Sequence, residues 1–190
     1  LVGSEMCIRD SCISTHAVSN EYDYFTAVDD CSADDNAGAG HLGTVEFNSS
    51  TLYRYSTVNI AELMENGLNI DEVCDVLSGY LEAFIKAMPT GKQNTFANRT
   101  LPCFTNVTIR EDQPINMAGA FEKAVTGNGK GYEKDSIDAF LEYTKKVYEN
   151  YAEYPKKSFV VCLDDVNTEA ERVKMKDLAR LVEKEIRNYN

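Results

Sequence analysis

Between residues 71 and 88 the apolar side chains Val73, Val76, Leu77, Tyr80, Leu81, Phe84, Ile85 and Met88 recur at spacings of three and four, and Pro89 then stops the pattern. That period places them on one stripe of an α-helix, with Asp71 as the expected cap and the proline as the end signal. A helix with a single apolar stripe is stable only when another layer of structure covers it. The chain must therefore supply that layer, and its other segments read as candidates for it.

Residues 52–60 and 103–110 carry the β-branched and aromatic content of strands, residues 44–47 a shorter one, and SFVVCL at 158–163 a buried one. A short β-prone run is expected over 13–18 and a short helix over 61–66. Asn116 is expected to cap a helix reaching about residue 125, before the glycine-rich break TGNGKG at 126–131. A second helix sets Ile137, Phe140, Leu141, Thr144, Val147, Tyr148 and Tyr151 on one face. Thr168 with Glu171 reads as a capping box opening a last helix on Met175, Leu178, Leu181, Val182 and Ile186. Strands alternating with helices predict a layered α/β or α+β domain with helices packed on a sheet.

A length of 190 residues with 43% apolar composition fits one globular domain. No run of 18 apolar residues exists and the start lacks a signal-peptide pattern, so no membrane partner and a cytoplasmic location are expected. Cysteines at 7, 12, 31, 74, 103 and 162 show neither CxxC nor Cys/His clustering, which predicts reduced, structural thiols and no zinc. The sequons at Asn48, Asn98 and Asn106 carry no meaning without secretion.

The net charge of −12 argues at face value against a polyanion partner. Its distribution argues otherwise. From residue 83 to residue 110 there is no acid, while Lys86, Lys92, Arg99 and Arg110 supply four positive charges. That stretch is the one plausible anion-facing segment. The blander reading, that acids elsewhere in the fold pair with these cations, is favoured by composition alone.

Aspartate pairs at 29–30, 34–35 and 164–165 could hold Mg²⁺ or share a proton, but no EF-hand spacing accompanies them and neither histidine stands at ligand spacing. His16 reads as structural; His41, in a glycine-rich loop, is either a ligand contact or simply exposed. No serine or cysteine sits in a nucleophile setting. TGNGKG is not a phosphate-binding Walker loop. PTGKQNT, at 89–95, offers Gly91 for close approach and Lys92, Gln93 and Asn94 as donors to phosphate or sugar, or else is a solvated helix-ending turn. In EYDYFT, at 21–26, Tyr22 and Tyr24 fall on one side of an extended chain and Phe25 on the other. Such aromatics either stack on unpaired bases or serve a protein interface, and the residues alone leave the two even.

The strings STH (14–16), DYFTAVDD (23–30), HLGTVEFNSSTLYRY (41–55), NIAELMEN (59–66), MPTGKQNTFA (88–97) and QPINMAGAFEKAV (113–125) occur in order and cover most of residues 12–125. On them the chain resembles the C-terminal half of the backbone subunit of the type I-E CRISPR Cascade complex, the CasC family. The resemblance implies an α+β fold: an incomplete RNA-recognition-like, ferredoxin-like palm with packed helices and a thumb hairpin or loop at about 19–43. The first palm strand and the fingers are missing from it. Residues 12–190 form the C-terminal part of that single domain, and residues 1–11, which resemble adapter-derived sequence, are set aside from fold reasoning. A palm lacking its first strand is expected to aggregate or fold only in part when expressed alone.

The function implied is non-catalytic. Copies of such a subunit stack along a CRISPR RNA and present its bases to a target DNA strand, beside other Cascade subunits, with no cofactor and no metal. By matched position Tyr24, Phe25, Thr26 and Val28 would contact the guide RNA, with Lys92 and Gln93 as secondary contacts. Sequence is then read by base pairing, and the protein needs only backbone contacts and stacking wedges. The rival reading is a metal-dependent RNA nuclease using Asp29 and Asp30.

Overall fold

The structure, a computed structural model, describes residues 8–27 and 41–188. In chain order the elements are β1 (Ile8–Ser14), β2 (Glu21–Ala27), β3 (His41–Phe47), β4 (Leu52–Val58), α1 (Ile60–Glu65), α2 (Ile70–Lys86), the short α3 (Gln93–Phe96) and β5 (Phe104–Ile109). A 3-10 turn (Met117–Phe121), α4 (Glu133–Asn150), β6 (Lys157–Cys162), the two-residue β7 (Glu171–Arg172) and α5 (Met175–Arg187) complete them. The mixed α+β content is the expected one.

Helix α2 is the element that the stripe demanded, and its cap lies two residues earlier than Asp71. The Asn69 side chain accepts from the N–H groups of Asp71 (3.0 Å) and Glu72 (3.1 Å), while the Glu72 carboxylate accepts from the Asn69 N–H (2.9 Å). Only Asn69 has a glutamate three residues on, so only it can close a reciprocal box. At the other end, the Arg54 guanidinium donates to the carbonyls of Phe84 (3.0 Å) and Ala87 (3.3 Å) and lies 4.2 Å from the centre of the Phe84 ring. A cation there offsets the negative end of the helix.

The covering layer is the sheet β5-β6-β7, with β5 antiparallel and β7 parallel to the central β6. Strand alternation turns Phe159 and Val107 toward α2 and α5, where they join Val73, Cys74, Leu77, Leu178, Val182 and Ile186. Phe104 faces the other way, edge-on to Phe140 of α4 at 5.6 Å, in a second cluster with Met117 and Phe121. Helices thus cover both faces of the sheet. Two further antiparallel pairs stand apart from it, β1 with β4 and β2 with β3.

Three expectations are corrected. Strand β1 begins at Ile8, inside the segment set aside, and stops at Ser14 rather than continuing to residue 18. It stops because the chain turns at Thr15, whose buried hydroxyl accepts from Ser136 Oγ (2.8 Å) and whose N–H donates to Thr51 O (3.0 Å). Asn116 does cap a turn, accepting from the Ala118 N–H (3.0 Å), but only the 3-10 turn follows, because the Val125 N–H is drawn to Thr15 O (2.9 Å). Finally, Glu171 belongs to β7 opposite Phe159 and pairs with Lys157 (2.6 Å), so no capping box forms and α5 starts at Met175. The Thr168 hydroxyl accepts from Ala170 N–H (3.2 Å) in a local turn instead.

His16 is structural, as expected. Its Nε2 accepts from the Thr51 N–H (3.1 Å), so Nδ1 carries the proton and donates it to Ala17 O (2.8 Å), and the ring stacks on Tyr132 at 3.7 Å. Cys12, Cys74, Cys103 and Cys162 are free thiols. Among the described residues no helix is long and apolar enough to cross a membrane.

Candidate nucleic-acid interface

The hairpin of β2 and β3 carries three of the six residues singled out for RNA contact. Its register pairs Tyr22 with Glu46, Tyr24 with Thr44, Phe25 with Gly43 and Thr26 with Leu42. Alternation therefore puts Tyr22, Tyr24 and Thr26 on one face and Phe25, Gly43, Val45 and Phe47 on the other. Tyr24 is 71% exposed and Phe25 46%. The tip of the Phe25 ring comes over Gly43 of β3, and Gly43 is what permits it, since a Cβ there would run into the ring. Val28, Asp29 and Asp30 lie outside the described residues.

The PTGKQNT segment is more than a turn. The carbonyl of Lys92 accepts from the N–H groups of Thr95 (3.1 Å) and Phe96 (3.0 Å), winding the single turn α3. Lys92 (φ 53°) and Ala97 (φ 51°) bracket it in the left-handed region, the two non-glycine residues there among the described residues. Each costs on the order of 1–2 kcal/mol, which surrounding structure must offset. Lys92 is exposed, and Gln93 is half-buried in the wall of a groove of about 340 Å³ also lined by Lys86, Met88, Arg99 and Leu101.

The reading that acids elsewhere pair with the basic stretch holds for half of it. Lys86 meets Glu82 (2.6 Å), and Arg110 meets Asp112 through both Nε and Nη2 (2.7 Å each). Lys92 and Arg99 have no ion pair among the described residues. These two are the cations left to meet an external anion.

Hairpin and loop meet through a contact that sequence reasoning missed. The Phe47 ring lies 4.9 Å from the Phe96 ring, and the Lys92 ammonium lies 5.7 Å from the same Phe96 ring. Phe25, Val45, Phe47, Phe96 and Lys92 thus follow one another across the surface. Glu21 and Asp23 share the Phe25 face by alternation, so the hairpin repels phosphates while offering rings to bases. Chemically the arrangement can stack unpaired bases at one end and hold phosphate at the other. Arg99 was visible in the acid-free stretch; Phe47 and Phe96, 49 positions apart, gave no local signal.

His41 is the first residue of β3, opposite Ala27, and not a loop residue. Among the described residues no group of three or more His, Cys, Asp or Glu is placed to hold a metal ion.

The family model described as CT1975-like protein matches residues 11–184. Two solved chains are similar in structure. One, from a "CRISPR RNA-guided surveillance complex, pre-nicking", shares 27% identity and a TM-score of 0.85 over 96% of this chain and 55% of its own. The other, from a "CRISPR RNA-guided surveillance complex", shares 27% identity and a TM-score of 0.82 over 97% of this chain and 71% of its own. This chain spans about half the length of the first. No curated protein matches it.

Proposed function

The chain belongs to the CT1975-like protein family, and from that premise we propose that it is a non-catalytic backbone subunit of a type I-E CRISPR RNA-guided surveillance complex. In this reading it holds the guide RNA for pairing with a target DNA strand, in contact with neighbouring copies of itself and with other subunits in the cytoplasm. The sheet β5-β6-β7 with its helices is part of an RNA-recognition-like palm, and the β2-β3 hairpin is its thumb. Cleavage falls to a separate nuclease.

One observation carries the proposal: a surface row of aromatic rings, from exposed Phe25 and Phe47 to half-buried Phe96, with Lys92 beside it and Arg99 in the neighbouring groove, cations with no acid partner among the described residues. Stacking surface beside cations that no described acid claims suits a single strand whose sequence the protein does not read. Similarity to chains of RNA-guided complexes supports the choice of RNA. The nuclease alternative rests on Asp29 and Asp30, to which the described residues add no supporting geometry.

The test is fluorescence anisotropy with labelled single-stranded RNA across a salt series, repeated with Mg²⁺ and gel analysis of the RNA. Binding that weakens steadily with salt and leaves the RNA intact is expected. Binding without salt dependence, or none, points to a protein adapter. Mg²⁺-dependent cutting lost in Asp29→Asn and Asp30→Asn overturns the non-catalytic role.

A further inference from the structure

Four observations converge on Phe96. Its ring lies against Phe47 of the hairpin, and the Lys92 ammonium stands 5.7 Å from the ring centre. It ends a one-turn helix held between two left-handed non-glycine residues, a local geometry that the fold maintains at a cost. Immediately after that helix, Arg99 lines the groove beside the C-terminal end of α2. The helix end itself makes no demand on Arg99, because Arg54 already occupies the carbonyls of Phe84 and Ala87.

We infer that Phe96 is a positioning residue that fixes the hairpin over the groove, and that Arg99, together with Lys92, holds phosphates of the same single-stranded nucleic acid whose bases stack on the Phe25 face. This rests on the RNA-holding reading above and goes beyond it by joining two separate contacts into one continuous site. Geometry and charge both favour one strand over two. From Gly43, under the Phe25 ring, to Phe47 the strand rises by about 13 Å, the length of about four stacked nucleotides. Glu21 and Asp23 on that face deny phosphates a seat there, while Lys92 stands beside the Phe96 ring and Arg99 lines the groove. A bound strand therefore has its bases on the hairpin and its phosphates displaced toward the groove. That offset exists only while the Phe47–Phe96 contact holds the two parts in register.

The experiment measures binding of a fluorescein-labelled oligouridylate to the chain by anisotropy over a salt series. Arg99→Gln should reduce the slope of log affinity against log salt by about 0.7, the value for one phosphate contact on a single strand. Phe96→Leu should weaken binding about tenfold, the order of one lost stacking contact, without changing that slope. Adding Phe25→Ala to Phe96→Leu should then cost little more, although Phe25→Ala alone costs about tenfold. Phe47→Leu breaks the same contact from the exposed hairpin side and should reproduce the Phe96→Leu result, while Phe96→Tyr should restore binding. Circular dichroism checks that each variant keeps its fold. If the parent chain binds with salt dependence but Arg99→Gln leaves the slope unchanged, or the Phe25 and Phe96 losses simply add, this inference fails and the RNA-holding reading stands. If the parent shows no salt-dependent binding, the RNA-holding reading fails and takes the inference with it.

Discussion

Two antiparallel strand pairs of similar length, β5 with β6 and β2 with β3, are both rich in aromatic and β-branched residues, yet they end in opposite environments. On β6, Phe159 is 1% exposed between α2 and α5; on β2, Phe25 is 46% exposed. The difference is not in the strands. Amphipathic helices flank β5-β6 on both faces, whereas the hairpin reaches the rest of the chain through Phe47 on Phe96 and has no helix laid across it among the described residues. Apolar content made both segments strands, and the availability of a partner layer decided which became core and which became a contact surface.

That contrast can be broken where it is strongest. Phe159→Ala should lower stability by about 3–5 kcal/mol, because it removes a ring from a filled site between two helices. Denaturant unfolding followed by circular dichroism reads this, and a loss under 1 kcal/mol would contradict the core assignment. A smaller effect is expected where the 3-10 turn is tied to β4. Tyr53 donates its hydroxyl proton to Asn116 Oδ1 (3.1 Å) and accepts from the Met117 N–H (3.1 Å). Tyr53→Phe should cost about 1 kcal/mol.

Burial pushes the Tyr53 phenol up to about 12, against an ordinary value near 10. Between those values the folded chain keeps a proton that the unfolded chain releases. This contribution to stability is therefore whole below pH 10 and is lost as the pH rises toward 12. Melting temperatures taken over that window should fall less for Tyr53→Phe than for the parent chain. The smallest stability effect belongs to the hairpin: Phe25→Ala should change unfolding free energy by no more than about 0.5 kcal/mol while still weakening RNA binding. A large loss of stability would mean that the hairpin face is packed rather than offered.

Much of this was legible along the chain. The stripe from Val73 to Ile85 named α2, SFVVCL named β6, and the order of the motifs named the family to which the chain belongs. The alternation of Tyr24 and Phe25 told which side each would take, before any partner for either side was known. The failures share a cause. Glu171 is a good capping residue by local rules, yet strand pairing with Phe159 and an ion pair to Lys157 claim it. The helix expected after Asn116 gives way because Val125 bonds to Thr15, 110 positions away. Local propensities of a few tenths of a kcal/mol yield to such contacts.

The sequence by itself determined the periodic elements, the absence of acids from residues 83 to 110, and the aromatic cluster at 21–26. These follow from residue type and spacing, which need no knowledge of what lies across the fold. Only the tertiary structure decided which cations of that acid-free stretch have no ion pair among the described residues. Glu82 and Asp112 remove Lys86 and Arg110 from consideration and leave Lys92 and Arg99. It alone decided that Phe47 meets Phe96, so that a hairpin and a loop far apart in sequence share one surface. Pairing and proximity are properties of the folded backbone, and no local pattern encodes them.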